Sequence, residues 1–124
     1  MYNIDVDEAN KIIKIVLSGH MLLDEIEAYA KELDIFLNQY EDNIYSLFAS
    51  AERLDPISQN GLPIFIDIMK VVLTRFNKIA TVHKRTITRM QMSRIEAMVT
   101  SNGDLKKKIM RFNTTKEAFS YLRK

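Results

Sequence analysis

The sequence has no cysteine and no tryptophan, and only 3 glycines and 2 prolines in 124 residues. Without cysteine there is no disulfide, no thiolate nucleophile and no Cys-ligated metal, which fits a reducing compartment. Three glycines cannot build a glycine-rich phosphate cradle, and GxGxxG, Walker A and GxSxG are all missing. The two histidines, His20 and His83, are far apart and form no metal-ligand spacing such as HExxH. Asp24, Glu25 and Asp55 have no evident acid/base partner, so neither a hydrolase nor a phosphotransferase is expected. No apolar run approaches the roughly 18–20 residues that span a bilayer. The acidic start, Met1-Tyr2-Asn3-Ile4-Asp5-Val6-Asp7-Glu8, does not read as a signal peptide. The expectation is a cytoplasmic, non-enzymatic protein with no metal and no cofactor.

Apolar residues make up 47% of the chain and charged residues 27%, an ordinary globular balance. The length suits one domain over residues 1–124. Charge is divided unevenly. Residues 1–69 carry 4 Lys/Arg against 13 Asp/Glu, a balance of −9, and residues 70–124 carry 14 against 3, a balance of +11. Such a split marks an anion-binding face, or else two halves that interleave around a shared core and neutralise each other.

Alternation of Tyr2, Ile4 and Val6 with Asn3, Asp5 and Asp7 predicts a half-buried strand. A short turn over Glu8-Ala9-Asn10, with Asn10 suited to a left-handed conformation, leads into a β-branched strand over Lys11–Ser18. So short a link makes an antiparallel hairpin. Asp24 suits a helix cap, and Ile26, Ala30, Leu33, Leu37 and Tyr40 form an apolar stripe on a helix reaching about Gln39. Ile44–Ser50 is apolar at nearly every position, as in a strand covered on both faces. A polar loop from Glu52 to Gly61 precedes an apolar helix, Leu62–Arg75, with Pro63 in its first turn. A strand over Asn77–His83 and a helix over Thr86–Val99 follow, the helix turning Ile87, Met90, Ile95 and Met98 inward and stopping at Asn102-Gly103. The last strand is Lys108–Phe112. The last helix opens at Thr114 with Glu117 three residues on, a capping box, and Ala118, Phe119 and Leu122 suit its core face. The order β-β-α-β-α-β-α-β-α predicts an α/β fold: a mostly parallel five-stranded sheet with an antiparallel N-terminal edge strand and helices packed on it.

The loop Asp55, Ser58, Gln59, Asn60 and Gly61 joins the carboxyl end of a buried strand to a helix start, where backbone N–H groups favour an anion or acceptor partner. Ser58 or Asn60 is equally suited to cap that helix. His83 lies at a strand's carboxyl end, where open α/β sheets bind ligands, and otherwise reads as a surface histidine. Arg85 and Arg89, with Lys106 and Lys107 further on, are candidate anion contacts, for phosphate or for the head groups of an anionic membrane surface. Arg85, Arg89 and Arg94 with Met90, Met92 and Met98 would suit a protein partner; the alternative is Met in the core and Arg in solvent. Phe65 and Ile66, if exposed, would serve self-association; a nearly all-apolar helix is equally what a central core position needs. Aromatic interleaving of the nucleic-acid type is missing, so DNA and RNA are set aside.

The opening hairpin, the Ser58-Gln59-Asn60-Gly61-Leu62 loop, the strand Phe76–Val82 and the ending Lys108–Leu122 resemble the STAS superfamily, closest to its SpoIIAA-like, or STAS/SEC14-like, branch of bacterial proteins. The resemblance covers nearly the whole chain and implies a SpoIIAA-like fold acting as a regulatory domain through protein partners. A small apolar ligand or lipid, as in the related SEC14/CRAL-TRIO branch, is the alternative. In the family's anti-sigma-factor antagonists the loop reads Asp-Ser-Ser-Gly-Leu, and a partner kinase phosphorylates the serine before the glycine. Matched on Gly61-Leu62, Ser58 falls on the aspartate, Gln59 on the first serine and Asn60 on the phosphorylated serine. An amide accepts no phosphoryl group, so the resemblance implies a domain without the phosphoacceptor.

Overall fold

The computed structural model describes residues 1–84, 86–100 and 107–124. In chain order the elements are β1 (Tyr2–Asp7), β2 (Ile12–Gly19), α1 (Leu23–Leu37), β3 (Ser46–Leu54), α2 (Leu62–Arg75), β4 (Ile79–Val82), α3 (Thr86–Val99), β5 (Ile109–Phe112) and α4 (Thr115–Leu122). The five strands lie side by side in sequence order. β1 is antiparallel to β2, and every later pairing is parallel. The expected fold class is therefore observed.

The hairpin turn differs in one detail. Asn10 is tied down by Asp7, its backbone amide donating at 3.1 Å and its side-chain amide at 2.8 Å. These bonds hold the Asp7 carboxyl below its ordinary range. The left-handed step falls instead on Lys11, at φ 57, so β2 begins at Ile12. Asp24 does not cap α1. The cap position is Leu22, with no side-chain bond, and Asp24 sits in the first turn near the positive end of the helix dipole. Helix α1 ends at Leu37, where the Arg75 guanidinium bonds the carbonyl of Leu37, one of the helix's last acceptors, and that of Tyr40 in the turn beyond it.

β3 is shifted relative to the expected Ile44–Ser50. It starts at Ser46 and continues to Leu54, so Glu52 belongs to the strand rather than to the loop. The β2–β3 register jumps between Val16 opposite Ser50 and Ser18 opposite Arg53, which marks a bulge. Polar Glu52 and Arg53 hide the strand in the sequence. Leu54, fully buried, closes it opposite Gly19.

The sheet separates two apolar layers. On one face Ile13, Ile15, Leu17, Leu47 and Ile79 pack under α1, α2 and α3. On the other, Ile12, Phe48, Ala80 and Val82 meet Ala118 and Leu122 of α4. Helix α4 opens with the expected capping box, Thr114 Oγ1 accepting from the Glu117 amide at 3.2 Å. It packs over β3, β4 and β5. The hairpin's side of that face stays open, with Asn3, Asp5, Lys14 and an exposed Val16. The half-buried first strand was expected from its alternation, and among the described residues α4 is the helix on this side, too short to reach across to it.

Helix α3 is turned from its expected register. Ile87, Met90 and Met98 are exposed, while Thr88, Met92, Ile95 and Glu96 face inward. The inward polar groups are bonded, which is what allows them there: Thr88 Oγ1 donates to the Leu54 carbonyl at 2.6 Å, and Glu96 pairs with Arg111. Met92 alone among the three methionines of α3 joins the core. In α2, Phe65 is buried and unavailable as a dimer contact, and Ile66 is half-buried. The expected stop at Asn102-Gly103 lies outside the described residues.

Candidate functional site

The segment from Asp55 to Gly61 leaves β3 at its carboxyl end and is pinned at three points. The Asp55 amide donates to the Gly19 carbonyl at 3.0 Å, continuing the β2–β3 pairing. Ile57 is buried, and the side-chain amide of Gln91 on α3 brackets its backbone, accepting from the Ile57 N–H at 2.6 Å and donating to its carbonyl at 2.7 Å. Gly61 is the third. A Cβ there would stand 2.6 Å from Ile26 Cδ1 and 3.1 Å from Ile57 Cγ2, so only glycine lets the loop close down on α1. Between these anchors Ser58, Gln59 and Asn60 are exposed at a tip. The geometry is a rigid stalk presenting three short polar side chains.

The tip does not cap α2. Its cap position is Gly61, with no side-chain bond. The Ser58 hydroxyl bonds Asn60 Oδ1 at 2.5 Å, and the amides of Gly61 and Leu62 both donate to the Ser58 carbonyl. Pro63 has no N–H, so few amides of the first turn are left for an anion. That favours an uncharged partner surface over a phosphate.

Of the candidate anion contacts, Arg89 and Lys107 are exposed, whereas Arg85 and Lys106 lie outside the described residues. No group of three or more His, Asp or Glu suited to a metal ion occurs among the described residues. No described helix is long and apolar enough to cross a membrane.

His83 is not the surface group it resembles in the sequence. It lies one residue beyond β4 and is 8% exposed. Burial, helped by the nearby charges of Arg111 and Arg89, pushes its pKa down from 6.5 to about 4. His83 and Thr81 line an apolar cavity between the sheet and α2/α3, with Glu96 beside them. Gln91, Thr88, Thr81, Glu96 and Arg111 carry this region; sequence reasoning missed the first four and read Arg111 only as part of the basic cluster before the last strand, where the structure pairs it with Glu96. Thr88, Gln91, Met92 and Ile95 do recur at three- and four-residue steps, a signal that polar members of the set obscure.

No family model matches the sequence, and no curated protein matches it by sequence. Solved structures do match over nearly the whole chain. An uncharacterised protein with a SpoIIAA-like fold from Shewanella loihica PV-4 superposes with a TM-score of 0.72 at 11% identity, covering 98% of this chain and 92% of that one. The anti-sigma factor antagonist SpoIIAA, in its unphosphorylated form, gives 0.66 at 14% identity over 99% and 96%. An anti-sigma factor antagonist from Mycobacterium paratuberculosis gives 0.63 at 14% identity over 100% and 96%. With the strand order, the single antiparallel edge and the helix placement already described, these matches identify the architecture: the chain has a SpoIIAA-like fold.

Proposed function

We propose that this chain is a non-enzymatic STAS-like regulatory domain that binds a protein partner, or a second copy of itself, through the Ser58–Asn60 tip and the adjoining start of α2. The observation that carries this is the tip itself: exposed, uncharged, and held firmly by Ile57, Gln91 and Gly61 at the carboxyl edge of the sheet. Two structural neighbours are anti-sigma factor antagonists, which supports a protein partner. Asn60, where the antagonists carry their phosphorylated serine, implies binding without that switch. The test compares partners captured by the natural chain with those captured by Gln59→Lys/Asn60→Lys. Loss of a specific partner is expected; identical partner sets would remove the loop from the account.

A second reading is a small apolar-ligand or lipid module meeting an anionic membrane surface. The outer face of α3 favours it, with exposed Ile87, Met90 and Met98 beside exposed Arg89 and Arg94. Vesicles containing anionic phospholipid at low salt test the membrane contact. Binding lost on adding salt supports it, and equal indifference to anionic and zwitterionic vesicles sinks it.

A further inference from the structure

The cavity under α2 and α3 has a volume of about 80 Å3, and its walls are mostly apolar, including Tyr29, Phe65, Met69 and Met92. That is about five times the roughly 15 Å3 a single water needs. One end is different. Thr81 and His83, two residues apart along one chain segment, both line the cavity, at 5% and 8% exposure. Thr81 Oγ1 and His83 Nδ1 have no hydrogen-bond partner among the described residues. A buried hydroxyl or imidazole nitrogen without a partner forfeits the hydrogen bonds it makes in water, so two in one cavity call for a ligand. Buried water needs about three polar partners; Thr81, His83 and Glu96 together can hold about one such water, which leaves most of this largely apolar space unfilled.

From this juxtaposition we infer that the cavity is a binding site for a small neutral amphiphile, an apolar body of a few carbons ending in one hydroxyl-type head group that bonds Thr81 and His83. A hydroxyl head suits this pair in any arrangement, because it can donate and accept, as can the Thr81 hydroxyl and, by choice of tautomer, the His83 nitrogen. It must be neutral, because Glu96, which also lines the cavity, already pairs with Arg111, and a second carboxylate would be buried near that charge without compensation. Burial keeps His83 uncharged, in line with this choice. The inference narrows the small-ligand side of the second reading and is independent of vesicle binding and of the Ser58–Asn60 tip.

The probe is 1-propanol, with propane and propionate as comparators, followed by amide chemical shifts and thermal melting of the full chain. Propanol should bind saturably, raise the melting temperature and shift amides around Thr81, His83 and Met92. Propane should bind about fivefold more weakly for each lost hydrogen bond, and propionate more weakly than propanol. Thr81→Val, of nearly the same shape, should erase about fivefold of propanol's advantage over propane, and Thr81→Ser should retain it. A propanol titration with no saturable shift, shifts centred outside the cavity, or an advantage unchanged in Thr81→Val would each overturn the assignment.

Discussion

Gly61 matters for contact rather than for backbone freedom. Its φ is −88, which any residue adopts. What excludes a side chain is Ile26 Cδ1 at 2.6 Å from the Cβ position, on a fully buried isoleucine with little room to move. Gly61→Ala is expected to cost about 1–3 kcal/mol, read as a lower urea midpoint with unchanged slope. His83 gives a second prediction with a definite sign. Its ordinary pKa of 6.5 is pushed down to about 4 in the fold, so between those values the unfolded chain takes up a proton that the folded chain refuses. Its share of stability is complete above pH 6.5 and is lost as the pH falls towards 4, by about 3 kcal/mol. His83→Gln should flatten stability against pH across that window in urea titrations; an unchanged slope would assign the pH dependence elsewhere. Neither effect was legible in the sequence. A lone histidine at a strand end looks solvated, and the close approach at Gly61 depends on Ile26, thirty-five residues earlier.

Helix α3 is the element that joins the two regions of interest. One side of it bonds the tip's stalk through Gln91 and the end of β3 through Thr88, and the same side lines the cavity with Met92 and Glu96. Gln91→Leu removes both bonds to Ile57. The expected result is about tenfold faster amide exchange at Ile57, from a loss of roughly 1–1.5 kcal/mol, with little change at β1. Sequence periodicity found the helix and its limits and placed Ile95 correctly, but turned Ile87, Met90 and Met98 inward where they are exposed. Ile87, Met90 and Met98 look like a core stripe only if Thr88 and Glu96 are assumed to prefer water. Their partners, the Leu54 carbonyl and Arg111, are supplied by other strands and are invisible to a local pattern. The capping box of α4 is the opposite case. Thr114 and Glu117 satisfy each other within four residues, so the sequence alone located the helix start.

At the scale of the molecule, the element order and the parallel sheet were legible because β-branched runs and helical stripes alternate strictly. The uneven cover of the two faces was not, since it depends on how far one short helix, α4, reaches across the sheet. The charge asymmetry is partly neutralised by interleaving: Lys84 pairs with Glu52 at 3.5 Å and Arg75 with Asp42, each joining the basic half to the acidic one. Each pair has one exposed partner and so is screened by water, and they leave Arg89, Arg94 and Lys107 exposed. The central claim is that the uncharged tip between β3 and α2 is the contact surface. Its most direct measurement is the dissociation constant for the captured partner, or for self-association, of Gln59→Lys/Asn60→Lys beside Met90→Lys/Met98→Lys on α3, with melting temperatures in parallel. The account predicts at least tenfold weaker binding for the tip variant at an unchanged melting temperature, and binding within about twofold of the natural chain for the α3 variant. The reverse pattern, with the tip variant binding normally and the α3 variant failing, would contradict it.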